Sequence, residues 1–263
     1  MAIPGILVKI VDTKKNEVRE LYKRRHEISQ SVKNNTRKPL DFKAALSQTS
    51  GLAVISEVKK ASPSVGIICP DFDPVKIAKA YEQGGATAIS VLTDIDYFKG
   101  HPDYLRQIRE HVDIPLLRKD FIIDDLQIQE ALALGADSFL LIVSILEPEK
   151  LAELLQFGLS LGLTPLVEVH DEAELEIALN AGAEIIGVNN RNLNDFTVNM
   201  GLTASLSPMV PDHCLLIGES GIKTVDDARG LKRAGCKGIL IGETLMRQGL
   251  DGCGAMIDQL SNS

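Results

Sequence analysis

Short apolar runs alternate with amphipathic stretches along most of the chain. Eight runs recur: Ala53–Lys59 (AVISEVK), Ala88–Asp94 (AISVLTD), Ile114–Phe121 (IPLLRKDF), Ser138–Leu146 (SFLLIVSIL), Thr164–His170 (TPLVEVH), Glu184–Asn190 (EIIGVNN), His213–Ser220 (HCLLIGES) and Lys237–Glu243 (KGILIGE). They are continuous and rich in Val, Ile and Leu, as strands buried on both faces are. Helical patterns lie between most of them. DPVKIAKAYEQGG opens with an N-cap aspartate and a first-turn proline, Asp73-Pro74, and closes on glycine. DDLQIQEALALGA, EPEKLAELLQFGLSLG, DEAELEIALNAGA and TVDDARGLKRAGC begin with polar or acidic residues and end near a glycine suited to a left-handed cap. From Asp195 to Pro211, Gly201, Ser205, Ser207 and Pro208 predict only a short or irregular helix.

Eight strand–helix units in succession predict an α/β fold, a (β/α)8 TIM barrel. An open doubly wound sheet is the runner-up, weakened because no GxGxxG follows the first strand. The first fifty residues do not fit the repeat. NEVRELYKRRHEI and DFKAALSQ read as extra helices, an N-terminal helical extension (1–50) that covers the bottom of the barrel or lines its mouth. No linker divides the chain, so residues 1–263 are expected to form one domain.

In such barrels chemistry sits at the C-terminal ends of the strands. Those ends carry Glu57 and Lys59, then Lys119, Glu168, Asn189 with Arg191, and Glu219 with Ser220. Side chains two apart on a strand point the same way. Glu57 and Lys59 therefore share a face with Ile55, and Lys119 shares one with Leu117 and Phe121, while Glu168 lies on the face opposite Val167 and Val169. A single strand end of this kind is usually a solvated surface pair. Five converging on one mouth describe a polar pocket. Carboxylates, lysines and an arginine without a Ser–His or Cys–His pair suit general acid–base work on an anionic substrate, with lysine Schiff-base chemistry as an alternative. Crowded charges would set the acid and base affinities apart.

Composition narrows the partner. Hydrophobic residues make up 44% and charged residues 24%, and the formal net charge is −8. That charge argues against a general nucleic-acid surface, but not against a local positive pocket for a small anion. Four scattered cysteines and five histidines give no metal-ligand spacing, and a reducing cytoplasm is the expected compartment. The N-terminal MAIPGILVKIVDTKK has no signal-peptide core, and the longest apolar run, Phe139–Val143, is too short to span a membrane. Glycines crowd IGESGI (Ile217–Ile222) and LIGETLM (Leu240–Met246). Ser220, Gly221 and Gly242 are therefore candidates to bind phosphate through backbone N–H groups, the alternative being tight turns alone. Glu243 would offer only its N–H, its carboxylate turned away. The long loop Lys60–Phe72 reads as a lid.

These residues together resemble the indole-3-glycerol phosphate synthase family. The matching stretches are EVKKASPS (57–64), LTDIDYFKG (92–100), LLRKDFIID (116–124), LLIVSIL (140–146), PLVEVHDE (165–172), IGVNNRNL (186–193), IGESGI (217–222) and LIGETLM (240–246), with ILVKIVDTKKNEV (6–18) similar to the family's opening helix. The resemblance implies closure of the indole ring of 1-(2-carboxyphenylamino)-1-deoxyribulose 5-phosphate with loss of carbon dioxide and water, in tryptophan biosynthesis. No cofactor or metal is implied. Lys119 would be the acid at the ketone oxygen, and Lys59, Glu168 and Glu57 would share the dehydration. Asn189, Arg191, Glu219 and Ser220 would orient the substrate, Phe98, Phe121 and Leu140 would flank its ring, and Ser62 and Pro63 would begin the mobile loop. Val65 departs from the polar residue expected in that loop. The partner is thus a small anionic phosphosugar, with no nucleic acid or membrane, and the expected state is a monomer, a homodimer being the alternative. Phosphoribosylanthranilate isomerase is a competing reading, expected to use a cysteine and an aspartate and weakened because no strand-end cysteine sits in the right place. A barrel that binds a phosphosugar without turning it over is another.

Overall fold

The computed structural model describes residues 5–193 and 195–263; the first four residues of the N-terminal stretch discussed above lie outside it. Eight parallel strands close into a barrel: β1 (Ala53–Val58), β2 (Ala88–Leu92), β3 (Leu116–Lys119), β4 (Ser138–Ile142), β5 (Leu166–Val169), β6 (Ile185–Asn189), β7 (Leu215–Glu219) and β8 (Gly238–Ile241). Each strand pairs with its sequence neighbours, and β1 closes the ring by pairing with both β2 and β8, Ile55 lying opposite Ala88 and Leu240.

Burial on both faces explains why the strands read as unbroken apolar runs. Ala53, Ile55, Leu117, Leu140, Leu166, Ile185, Ile217 and Leu240 fill the barrel interior. Their alternates Val54, Leu116, Phe139, Leu141, Val167, Ile186, Leu216 and Ile239 pack outward with the surrounding helices. Helices α1 (Gly5–Lys23), α2 (Arg25–Asn34) and α3 (Phe42–Ser47) precede the barrel. The outer ring is α4 (Pro74–Gln83), α5 (Asp103–Arg109), α6 (Asp125–Ala133), α7 (Pro148–Ser160), α8 (Glu172–Asn180), α9 (Gly201–Leu206), α10 (Val225–Arg233) and α11 (Glu243–Ser261). The predicted punctuation is present: Asp73 caps α4, and Gly85, Gly135, Gly162, Gly182 and Gly235 all have positive φ just beyond helix ends.

The extension serves both ends of the barrel. Leu7 and Ile10 of α1 join the interior cluster at the mouth, while Phe42 and Leu46 of α3 close it beneath Ala53 and Ala88, where strands begin. Two expectations need correction. The fourth run does not remain a strand to Leu146: it turns into a 3-10 helix at Val143–Ile145. The extra helix predicted from Asn16 to Ile28 is two helices meeting at Arg24, the first starting at Gly5. Within the long loop after β1, Ala61–Ser62 and Gly66–Ile67 form a small hairpin with Val65 exposed at its turn.

Candidate active site

Every site residue named from the sequence lines one cavity of about 530 Å³ at the C-terminal end of the barrel. At its floor, the Lys119 ammonium at the end of β3 donates to Glu168 Oε2 of β5 at 2.7 Å and to Glu219 Oε2 of β7 at 3.0 Å. Asn189 Nδ2 of β6 donates to Glu168 Oε1 at 3.0 Å. Lys59 donates to Glu57 Oε2 at 2.8 Å, so this pair forms a wall of the cavity. Glu57, Glu168 and Glu219 are almost fully buried, at 4%, 3% and 2% exposure.

Burial on this scale disfavours charge, and neighbours decide which groups keep it. For Lys119, burial pulls against the ammonium, but Glu168, Glu219 and Glu57 outweigh it and hold the pKa well above the ordinary lysine value. Burial likewise opposes the Glu168 carboxylate, yet Lys119 and His170 hold it well below the usual range. Glu219 goes the other way. Burial dominates, Lys119 offsets only part of it, and its pKa is pushed up to about 7. Its Oε1 is buried without a hydrogen-bond partner among the described residues, close above Gly187, where any Cβ would collide with it. Two carboxylates flanking one ammonium thus have proton affinities set apart.

Phe98 and Phe121 stand 6.0 Å apart, ring centre to ring centre, and form an apolar side with Leu140, Leu7 and Ile10. The other end is polar. After β7 the chain turns through Ser220 and Gly221, with φ of 64° and 82°. Thr244 Oγ1 donates to Ile222 O at 2.6 Å and ties this turn to the one after β8. Gly221 has the left-handed conformation that suits glycine. Gly242 differs: its φ is −127°, and it is needed for space, because a Cβ there would strike the Glu57 side chain. The Glu243 carboxylate, in the first turn of α11, accepts from Arg247 Nη2 at 2.8 Å. Arg191 is held by its own loop, Nη1 donating to Phe196 O at 3.2 Å. Ser62 and Pro63 reach the cavity from the hairpin.

Several residues at the site escape the sequence reading. Lys223 and Arg247 add positive charge at the polar end but lie one step beyond the strands. Lys14 of α1 is 1% exposed and reaches Asp94 and Asp120 at 2.9 Å each. His170 faces Glu168 Oε1 from 3.3 Å; it stands to Glu168 as Lys59 stands to Glu57, and the same two-residue rule would have found it. Among the described residues, no group of three His, Cys, Asp or Glu side chains is arranged to hold a metal, and no helix is long and apolar enough to cross a membrane.

Comparison with known proteins agrees with this geometry. A family model described as indole-3-glycerol phosphate synthase matches residues 7–252. The indole-3-glycerol phosphate synthase of Desulfotalea psychrophila is 50% identical over 94% of this chain and 95% of its own length. That of Geobacillus kaustophilus is 48% identical over 92% of each. Among solved structures, tryptophan synthase subunit alpha from Legionella pneumophila superposes with a TM-score of 0.62 at 14% identity, covering 84% of this chain and 97% of that one, a likeness of fold.

Proposed function

The chain belongs to the indole-3-glycerol phosphate synthase family, and from this we infer that Lys119, Glu168 and Lys59 carry the proton transfers of the reaction. It is a carboxy-lyase of tryptophan biosynthesis acting on a small phosphosugar. The observation that carries the assignment of roles is the Lys119 ammonium held between Glu168 and Glu219 beside the Phe98–Phe121 wall.

The anthranilate ring lies against Phe98, Phe121 and Leu140, and the phosphate lies at the Ser220–Gly221 and Gly242–Glu243 turns, near Lys223 and Arg247. The ring carbon that bears the carboxylate attacks the ribulose ketone, and Lys119 gives its proton to the ketone oxygen. Breaking the bond to the carboxylate releases carbon dioxide and restores the aromatic ring. The new hydroxyl then leaves as water on a proton from Lys59, held in place by Glu57, while Glu168 takes a proton from the adjacent carbon. Two protons are given and one is taken, so one comes from solvent per turnover, replacing the charge lost with the carboxylate. The 2.7 Å bond from Lys119 to Glu168 lets the captured proton return to Lys119. Asn189 aims Glu168, and Arg191, Glu219 and Ser220 orient the substrate.

All these residues come from one chain, which supports a monomer as the working unit, and four free cysteines suit a reducing cytoplasm. The test is Lys119→Ala, followed by indole fluorescence with the ribulose phosphate substrate. Loss of a positioned acid costs about 10²–10⁴-fold in rate. A variant folded by circular dichroism with near-normal turnover would remove Lys119 from this role.

A further inference from the structure

We propose that His170 is a positioning residue for the reaction: anchored by Glu174 and set beside Glu168, its imidazole keeps a cation next to the Glu168 carboxylate while Lys119 is neutral. This rests on the reading of Glu168 as the base.

The imidazole is hydrogen-bonded on its Glu174 side and faces Glu168 on the other, across an ion-pair distance without an aligned hydrogen bond. His170 Nε2 lies 3.3 Å from Glu168 Oε1, and Nδ1 lies 2.9 Å from Glu174 Oε2. The same Glu174 oxygen accepts the His170 backbone N–H at 2.8 Å. Glu174 sits in the first turn of α8, three residues after the capping Asp171, where a glutamate ordinarily reaches back to the cap's own N–H. Here it reaches one residue further and takes the backbone N–H and the Nδ1 of His170 instead. Glu174 is 4% exposed and cannot drift to solvent, so the ring is locked by a carboxylate that is itself locked by its helix. The 3-10 turn Val143–Ile145, which packs against β5 and α8, brings no charge. The groups that set the state of the imidazole are therefore Glu168 on its own strand and Glu174 on α8. Those that share Glu168 with it are Lys119, Asn189 and, beyond Lys119, Glu219. Burial lowers the His170 pKa, but the two carboxylates reverse this and push it up to about 10, so the ring is an imidazolium at neutral pH.

The need for it follows from the proton inventory. Glu168 rests between two cations and one amide. Once Lys119 has protonated the ketone oxygen, one of those cations is gone, and a buried carboxylate left with an amide alone would hold any nearby proton tightly. A base that protonates early cannot serve the later abstraction. His170 does not touch the substrate, yet it leaves Glu168 charged at that moment.

The experiment compares His170→Gln, Glu174→Gln and Glu168→Gln in steady-state kinetics, with nitrogen NMR of the imidazoles. His170→Gln keeps a donor but loses the charge, and should lower kcat by about 10-fold or more, since bonds to charged groups carry that much. KM should stay within about twofold, because the lost interaction serves turnover and not binding. Glu174→Gln should lower kcat in the same direction and by less. The His170 ring should remain doubly protonated at pH 8. A folded His170→Gln with wild-type kcat, beside an inactive Glu168→Gln, would overturn the role of His170 and leave the active-site reading intact. Near-normal turnover in Glu168→Gln would sink that reading and this inference together. If His170→Gln does not fold, Glu174→Gln decides: unchanged kcat with a neutral imidazole at pH 8 refutes the proposal.

Discussion

At the scale of single residues, Glu219 shows a site working against its own fold. Its carboxyl is buried, one oxygen lacks a hydrogen-bond partner among the described residues, and its pKa is pushed up to about 7. The folded state therefore binds this proton more tightly than the unfolded chain, whose glutamate titrates near the ordinary value of 4.5. Stability contributed by the proton is complete below about pH 4.5 and is lost as pH rises toward 7. Glu219→Gln removes that dependence. Relative to the wild type, the variant should gain stability on the order of 1 kcal/mol between pH 5 and pH 8 in urea unfolding, while its turnover falls. Other titrating groups are common to both proteins, so the difference isolates Glu219. A stability difference that is flat with pH would show that Glu219 is already ionised throughout.

At the scale of elements, the mouth depends on how α1 is fastened. The Lys14 ammonium reaches Asp94, after β2, and Asp120, after β3. Burial disfavours its charge, but Asp120, Asp94 and Glu17 outweigh that and raise its pKa above the ordinary value, while Asp120 is lowered to about 2. Asp94 Oδ1 also accepts the backbone N–H groups of Tyr97 and Phe98 at 2.7 and 3.1 Å, so one lysine braces the helix that brings Leu7 and the loop that brings Phe98. Breaking a buried pair by removing one partner costs about 3–5 kcal/mol, because the remaining charges stay buried. Lys14→Met should lower the melting temperature and raise KM about tenfold, with the barrel signal retained in circular dichroism. Unchanged melting and KM would mean that α1 is held by its apolar contacts alone. This contact also marks where the sequence stops being legible. Strands and helix ends are local patterns, and Glu57, Lys59, Lys119 and Glu168 follow from their place on a strand. Lys14 sits in a run of charges, TKKNEVRE, where a buried lysine looks like its exposed neighbours. Likewise Val143–Ile145 is as apolar as the strand before it, and only the tertiary fold ends the strand there.

At the scale of the whole molecule, the barrel divides its polar investments between two faces. The mouth holds charges in tension for chemistry; the opposite face holds a buried carboxylate with every oxygen used. Asp137, just before β4, is fully buried. Its Oδ1 accepts from Arg37 Nη1 at 2.6 Å and the Leu40 N–H at 2.7 Å. Its Oδ2 accepts from Arg109 Nη1 and the Leu116 N–H, both at 2.9 Å. One side chain thus joins the segment before α3, helix α5 and the start of β3 across the bottom of the barrel. Asp137→Ala takes the carboxylate from two guanidinium groups, each left with only backbone carbonyls, and strands two buried backbone donors, a loss of about 3–5 kcal/mol. For a domain of this size that corresponds to a fall of roughly 10 °C in melting temperature. In (β/α)8 barrels, residues on this face serve stability and those at the mouth serve catalysis, so below the melting range kcat and KM should stay within about twofold of the wild type. Thermal unfolding and kinetics on the same preparation measure both. If kcat drops as far as stability does while the protein remains folded, strain is transmitted along β3 and β4 to Lys119, and the two faces are not independent.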